Sequence, residues 1–243
     1  MGDLRVRDGV LQLRVPDTRW LSSGWDGGYR DADAAYNVAV PDGWDRTDVG
    51  VYARERREAA GFTAEGPALL TGVDLEHARA ARLDDVTAAV TVGLSNPAAL
   101  PMDPDGSPED APDDSPTPGT VNVVVSTPRA LTDGALASLH GVAVEAKTAT
   151  LLAMAGYPGT TTDAVVVGGG RDIDPARFAG SATAVGAAAR ACVREAVRAS
   201  FASRYADRPV PPSADAADHG VVTSRRAQVV APVTVGPDRS TDR

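Results

Sequence analysis

The chain has 243 residues, 43% hydrophobic and 23% charged, enough to bury one substantial core; with only 5% aromatics, Ala and Val must fill most of it. A formal net charge of −9 repels phosphate backbones, and no basic stripe is interleaved with aromatics, so nucleic acid is not an expected partner. The single cysteine, Cys192, excludes an internal disulfide framework and a thiolate metal cluster, and no apolar run reaches the roughly 20 residues that span a bilayer.

In chain order, "LRVRDGVLQLRV" reads as two short strands joined at Asp8-Gly9, a favoured hairpin turn. "TRWLSSGWDGGYRDADAAYNVAV" is a strand, a glycine-rich turn and a second strand ending near Val40. "DVGVYARERREAAG" is a helix stopped by Gly61. "PALLTGV" and "VTAAVTVGLSN" are strands, with "LEHARAARL" between them expected as a short helix. "GTVNVVVST" is a β-branched strand, followed by helices in "LTDGALASLHG" and "VAVEAKTATLLAMAG" and a buried strand in "TTTDAVVVGGG". "SATAVGAAARACVREAVRASFASRY" is a helix with Val185, Ala189, Val193, Ala196 and Val197 on one stripe and Cys192 beside it in the core.

Two stretches read as unstructured. "PMDPDGSPEDAPDDSPTPG" carries six acids, no base and many prolines, a solvated insertion spanning about 101–118. Residues 206–243 are again proline-rich and read as a flexible tail, within which "GVVTSRRAQVVAPVTV" could add an edge strand. The expectation is therefore a single α+β domain over 1–205, a mixed or antiparallel sheet packed by helices, with αββα-like layering as one arrangement. "MGDLRVRDGV" has no signal-peptide apolar region, so the chain is expected in the cytoplasm. Acidity with almost no lysine suits a very salty cytoplasm; a genome biased towards Arg, Ala and Asp codons gives the same composition.

Lys147 is the only lysine; every other cation among the 24 Lys plus Arg is arginine. If Val144 to Ala155 is helical, Val144, Thr148, Leu151, Leu152 and Ala155 form its buried stripe. Glu145 then lies roughly 60° from Thr148, facing inward, and Lys147 roughly 100° to the other side, at the edge. An inward carboxylate wants a cation or a ligand, because burying it unpaired costs several kcal/mol. A plain Glu-Lys tie between helix and sheet accounts for the pair equally well, but a surface charge here would be arginine by composition, and a compact ammonium differs from a guanidinium in tight or catalytic sites.

The second cluster is "GTTTDAVVV", where Thr160, Thr161, Thr162 and Asp163 precede a buried strand. Hydroxyls and amides there could hold an oxyanion, with Asp163 acting as a base or orienting one; a Thr-rich turn capped by Asp163 is the plain alternative. A third set of strand-end groups could read amides on a ligand or satisfy local backbone: Ser22, Ser23 and the Gly27-Gly28 turn, Ser95, Asn96 and Asn122. His77, His140 and His219 are far apart with no metal-ligand spacing, so no metal site is expected.

Together, "GTVNVVVSTPRALTDGALA", "VEAKTATLL", "GTTTDAVVV" and "FAGSATAVGAAARACVREAV" resemble the adenosylcobinamide amidohydrolase family. "WLSSGWDGG", "AAYNVAV" with Asn37, and "AAVTVGLSN" fit the same family in order, the whole spanning roughly Trp20 to Ser200. The acidic insertion, the proline-rich tail and a short link between Lys147 and Gly159 depart from the pattern. The resemblance implies hydrolysis of the aminopropanol amide of adenosylcobinamide to adenosylcobyric acid and 1-amino-2-propanol, in archaeal cobinamide salvage for cobalamin assembly. It implies a corrinoid substrate that brings its own cobalt, hence no cofactor held by the protein; the oligomeric state, a homo-oligomer included, is left open. The segment from Gly119 also resembles the amidase fold of the D-alanyl esterase/aminopeptidase type, as a fold analogy only.

Two mechanisms remain open at this level: Glu145 activating water with Lys147 on the oxyanion or the leaving amine, or a threonine nucleophile, Thr148 or one of Thr160 to Thr162, with Lys147 as base. Trp20, Trp25 and Tyr29 are candidates for the apolar rim a broad corrin ring needs. A corrinoid-binding protein without turnover is the alternative to the enzyme.

Overall fold

The structure is a computed structural model that describes residues 2–104, 106, 119–217 and 219–232. Strands β1 (Asp3–Arg7) and β2 (Val10–Ser22) form the hairpin expected from Asp8-Gly9, whose φ angles of 48° and 72° are those a tight type I′ turn demands. Strand β3 (Gly28–Ala39) runs back antiparallel along β2, helix α1 (Val49–Ala59) follows, and β4 (Ala68–Thr71) lies parallel to β3. After a short 3₁₀ turn at Leu75–His77 come β5 (Arg79–Leu83), β6 (Val86–Val92) and β7 (Pro97–Ala99). Strand β8 (Val121–Ala130), helix α2 (Asp133–Ala155), β9 (Gly159–Thr160), β10 (Ala164–Gly170), helix α3 (Ala184–Arg204) and β11 (Val221–Val222) complete the described chain.

The main sheet has the order β4-β3-β2-β10-β8-β6-β5, with β1 also on β2, and β11-β7-β9 form a small second sheet. Strand β2 serves two halves of the main sheet. Its first half pairs with β1 and β3, its second with β3 and β10, and the register shifts between Arg14 and Thr18. The sheet folds over there, because residues of β3 and β2 meet β6 and β8 face to face: Asn37 hydrogen-bonds Thr91 and Asn122, and Leu11 packs with Ala89.

Alternation along each strand then sorts side chains into three layers of contact. Ala34, Tyr36 and Val38 pack outward against Tyr52 of α1 and against Ala60 and Phe62 after it. Leu13, Trp20, Ala35, Leu69, Val124 and Val166 fill the space between the two halves of the sheet. Val86, Ala88, Val90 and Val92 of β6, with Val121, Val123 and Val125 of β8, pack outward under α2 and α3. The result is helix, sheet, sheet, helix, built from one sheet bent at β2. Each wholly buried Leu or Val in these layers contributes about 1.5–3 kcal/mol relative to exposure.

Several expectations are corrected. "LEHARAARL" holds only one 3₁₀ turn; its second half is β5, which pairs with β6 through a bend at Asp84 (φ 49°). The two helices expected after β8 are one continuous helix, α2, N-capped by the Thr132 hydroxyl accepting the Ala135 N–H and C-capped by Gly156. Trp20 is wholly buried between the layers and is no pocket rim; its indole N–H donates to the Ala32 carbonyl. Part of the expected tail is docked, with Ala214 buried and Tyr157 donating to the Pro211 carbonyl, while β11, parallel to β7 at the edge of the small sheet, is the edge strand that this segment could add. The insertion at 101–118 lies mostly outside the described residues. Among the described residues no helix is long and apolar enough to cross a membrane.

Candidate active site

Strands β8 and β10 are parallel neighbours, and α2 is the crossover between them. The return from α2 through Tyr157 to Gly159 sets the bend Thr160–Asp163 beside the first residues of β8. Lys147, on the buried face of α2, extends to the same point. Its side chain is 7% exposed and forms an ion pair with Asp163, whose side chain is 12% exposed.

Asp163 is the hub of this corner. Oδ2 accepts from the Lys147 ammonium and from the Thr160 N–H at 3.1 Å, and Oδ1 accepts from the Val121 N–H at 2.9 Å and from the Thr160 hydroxyl. Those four donors occupy the acceptor positions a carboxylate has. Lys147 is the less satisfied partner: of its three N–H donors, only the one on Asp163 has an acceptor among the described residues. Gly159 makes the close approach feasible. A Cβ there would lie 2.2 Å from Asp163 Oδ2 and 2.6 Å from Lys147 Nζ.

A buried polar ladder joins this corner to the inter-sheet space. Asn37 donates to the Thr91 hydroxyl at 2.9 Å, and Asn122 donates to Asn37 Oδ1 and to the Leu70 carbonyl, both at 2.8 Å. The Thr120 hydroxyl lies 3.0 Å from Asn122 Oδ1 and 2.9 Å from the Thr162 carbonyl, and donates to one of them at a time. Thr162 donates to the Gly119 carbonyl at 2.6 Å, and Asn96 donates to the Thr161 and Thr162 hydroxyls. These bonds tie β3, β6, β8 and the threonine bend into one network and satisfy polar groups that burial would otherwise penalise.

A cavity of about 480 Å³ opens on this corner. Thr120, Thr162 and Asp163 form its polar end, Leu69 and Leu70 part of its wall, and Trp25 and Trp44 an aromatic side. A second cavity of about 420 Å³ adjoins it across Asp42, Gly72 and Gly119, lined further on by Ser95, Tyr205, Arg208 and the prolines that follow α3. Such volumes suit an organic ligand and not merely solvent.

Of the residues expected from the sequence, Lys147, Asp163, Thr160, Thr161, Thr162, Asn96, Asn122 and Asn37 come together. Ser23 lines the cavity, its hydroxyl bracketing the Val165 backbone, whereas Ser22 is buried and accepts the Gly24 N–H. Gly27 and Gly28 shape the β2–β3 turn without lining the cavity; Gly24 and Trp25 line it instead. Ser95 faces the second cavity. Thr148 lies half-buried on α2 and lines neither cavity.

Glu145 is a correction. Its side chain is 59% exposed and pairs with Arg190 of α3, on the side of α2 away from Asp163. The buried stripe of α2 runs through Leu136, Leu139, Ala143, Ala146, Lys147, Thr150 and Leu151, while Leu152 is exposed. The helix is thus rotated from the expected phase, which swings Lys147 in and Glu145 out. Tyr29 is also remote, half-exposed and donating to the Asp133 carbonyl at the opposite end of β10. Thr120, Gly159, Asp42 and Trp44 were not foreseen; the glycine directly before the threonine run was the one available signal.

The sequence profile of the adenosylcobinamide amidohydrolase family matches residues 4–209. The chain belongs to this family. An adenosylcobinamide amidohydrolase from Halobacterium salinarum is 54% identical over 234 residues, covering 96% of this chain and 100% of that protein. Another, from Methanosarcina mazei, is 27% identical over 163 residues, covering 67% of this chain and 74% of its own. Among solved structures, the PH0078 protein from Pyrococcus horikoshii OT3 aligns over 82% of this chain and 78% of its own, with a TM-score of 0.42 and 11% identity. The family match takes in every strand from β2 to β10, all three helices and both walls of the cavity up to Pro209, so the Lys147–Asp163 corner of this adenosylcobinamide amidohydrolase family member lies wholly inside it.

Proposed function

We propose that this protein hydrolyses the aminopropanol amide of adenosylcobinamide, releasing adenosylcobyric acid and 1-amino-2-propanol, as a cytoplasmic step of cobinamide salvage for cobalamin biosynthesis. The observation that carries the reading on this chain's own residues is the lone lysine: it is buried directly behind Asp163, which lines the polar end of the cavity, and two of its ammonium N–H groups have no acceptor among the described residues. The corrin would lie across the Trp25 and Trp44 side, where broad aromatic surface matches a broad ligand. The amide-bearing arm would reach inward to Thr120, Thr162 and Asp163.

In this reading Lys147 donates its free N–H groups to the oxyanion that forms as the carbonyl is attacked, a role worth about 3–4 kcal/mol per donor in comparable sites. Water is the nucleophile. The Thr160 hydroxyl can rotate off Asp163 Oδ1, which then takes the proton of the attacking water and passes it to the amide nitrogen as the C–N bond breaks, while the Val121 and Thr160 N–H groups hold the carboxylate in place. Protein side chains carry each step, no resident cofactor is invoked, and the cobalt arrives with the substrate.

The test is incubation of the purified protein with adenosylcobinamide, following aminopropanol release. Lys147→Met should lower turnover by about 10²–10³-fold, while Glu145→Gln, which breaks only the exposed pair with Arg190, should leave it within about twofold of wild type. Binding of the corrinoid by the wild-type protein without aminopropanol release would overturn the hydrolase reading.

A further inference from the structure

Amide hydrolysis leaves a charge to be accommodated that the Lys147–Asp163 corner does not serve. Water oxygen joins the carbonyl carbon, the C–N bond breaks with its electron pair on nitrogen, and both water protons end on that nitrogen. The products are a carboxylate and an ammonium. Asp163 takes four donors, one of them a full positive charge, and the single position that Thr160 can vacate is the one the attacking water uses, so the departing ammonium needs a partner elsewhere.

Among the described residues lining the main cavity only two are ionisable, Asp163 and Asp42; the rest are Gly, Ala, Val, Leu, Pro, Trp, Ser and Thr. Asp42 sits in the turn Pro41–Trp44, which follows β3 and is closed by the Trp44 N–H on the Pro41 carbonyl at 3.2 Å, with Gly43 at φ 69°. Its residue is exposed, and its carboxylate makes no hydrogen bond or ion pair with any described residue. Asp42 also lines the second cavity, so it stands at the passage between the two. Arg204 and Arg208 line only that second cavity, where Arg204 faces Asp74 at 4.0 Å, and Asp42 is the one carboxylate among the described residues on its lining.

We infer that Asp42 receives the departing amine: its carboxylate binds the 1-amino-2-propanol ammonium at the junction of the two cavities. The inference rests on the proposed hydrolysis for the identity of the amine. It assigns separate carboxylates to the two halves of the reaction, Asp163 on the attack side and Asp42 on the leaving side, a division of labour that two carboxylates in different surroundings can sustain.

The experiment uses the whole protein and two small probes, 1-amino-2-propanol and its neutral relative 1,2-propanediol, titrated into wild type, Asp42→Asn and Asp42→Glu at one fixed ionic strength. Binding is read by calorimetry, and inhibition of adenosylcobinamide hydrolysis is read alongside. The amine should bind Asp42→Asn at least about tenfold more weakly than wild type, about 1.4 kcal/mol. Its product inhibition should weaken in parallel, Asp42→Glu should retain most of the affinity, and the diol should not discriminate among the three. Because Asp42 is exposed in a turn, Asp42→Asn should melt with wild type, which separates a lost contact from a lost fold. Equal amine affinity and equal product inhibition in wild type and Asp42→Asn would overturn the inference even if hydrolysis proceeds. Amine binding that depends on Asp42 in a protein that releases no aminopropanol would bring down the hydrolase reading instead and leave the Asp42 site standing.

Discussion

Gly159→Ala tests the Lys147–Asp163 corner without removing any of its charges. The backbone at Gly159 is not left-handed, so the substitution acts through space alone. The new methyl carbon would start 2.2 Å from Asp163 Oδ2 and 2.6 Å from Lys147 Nζ. Ordinary van der Waals contact begins at 3.4 Å, so the carboxylate must retreat by about 1 Å. It is held by the Val121 and Thr160 amides and moves only by giving up those bonds or its ion pair. Overpacking of this kind costs about 1–3 kcal/mol, a fall of about 4–8 °C in melting temperature for a loss near 2 kcal/mol at this chain length. A 1 Å misplacement of a reacting group typically costs about 10²-fold in rate. The matched control is Gly141→Ala, in the same stretch of chain but on α2, where a Cβ meets nothing within 4 Å. That change should stabilise the helix by about 0.5–1 kcal/mol and leave aminopropanol release unaltered. Steady-state release from adenosylcobinamide, with thermal melts of both variants, reads the contrast. Gly159→Ala turning over within about threefold of wild type would refute the placement of the reacting groups at this corner.

Two further outcomes follow from the same structure. Asn122→Ala would strand Asn37 Oδ1 and the Leu70 carbonyl in the layer between the sheet halves, so it should destabilise by about 1–3 kcal/mol in denaturant titration, whereas Asn122→Asp should not restore the two donated bonds. Burial pushes the His140 imidazole below its ordinary range, the Val165 backbone offsetting part of the effect, and its Nε2 has no hydrogen-bond partner. With the folded value below the unfolded one, the unfolded chain binds more protons just under about pH 6.5, so stability contributed by neutral His140 is present above that pH and lost as pH falls through the folded value. Melting temperature should therefore drop further between about pH 7.5 and 5.5 in wild type than in His140→Leu, and equal drops would show that this group carries none of the acid sensitivity.

The strands were legible because β-branched runs with alternating neighbours leave little choice. "GTVNVVVST" and "TTTDAVVV" became β8 and β10 at nearly the expected residues, and the Asp8-Gly9 hairpin formed in register. Helix α2 was legible as helix but not in phase. Its residues are small and apolar nearly all round, so Leu152 and Leu151 compete for the buried side and the period carries little information. The decision falls to tertiary contacts: the Asp163 carboxylate pulls Lys147 inward, and Arg190 on α3 offers Glu145 a partner outside. Hydropathy scores a lysine as outward and so rotates the helix the wrong way. "LEHARAARL" failed for a related reason, since its Ala and Arg have good helix propensity and only the pairing with β6 makes them a strand.

The lone lysine also bears on why this position escaped the arginine bias of the rest of the chain. Lys147 Nζ is wedged between Asp163 and the backbone of Gly159, close enough that even a methyl carbon on Gly159 would collide with it. A planar guanidinium with a rigid fork needs more room than an ammonium and directs its donors in one plane, whereas an ammonium presents three donors around a point. Only the second geometry can hold Asp163 on one side and still direct N–H groups away from it. Space and donor geometry, the two properties that separate lysine from arginine, are thus both at their most demanding at the one site where the chain uses lysine.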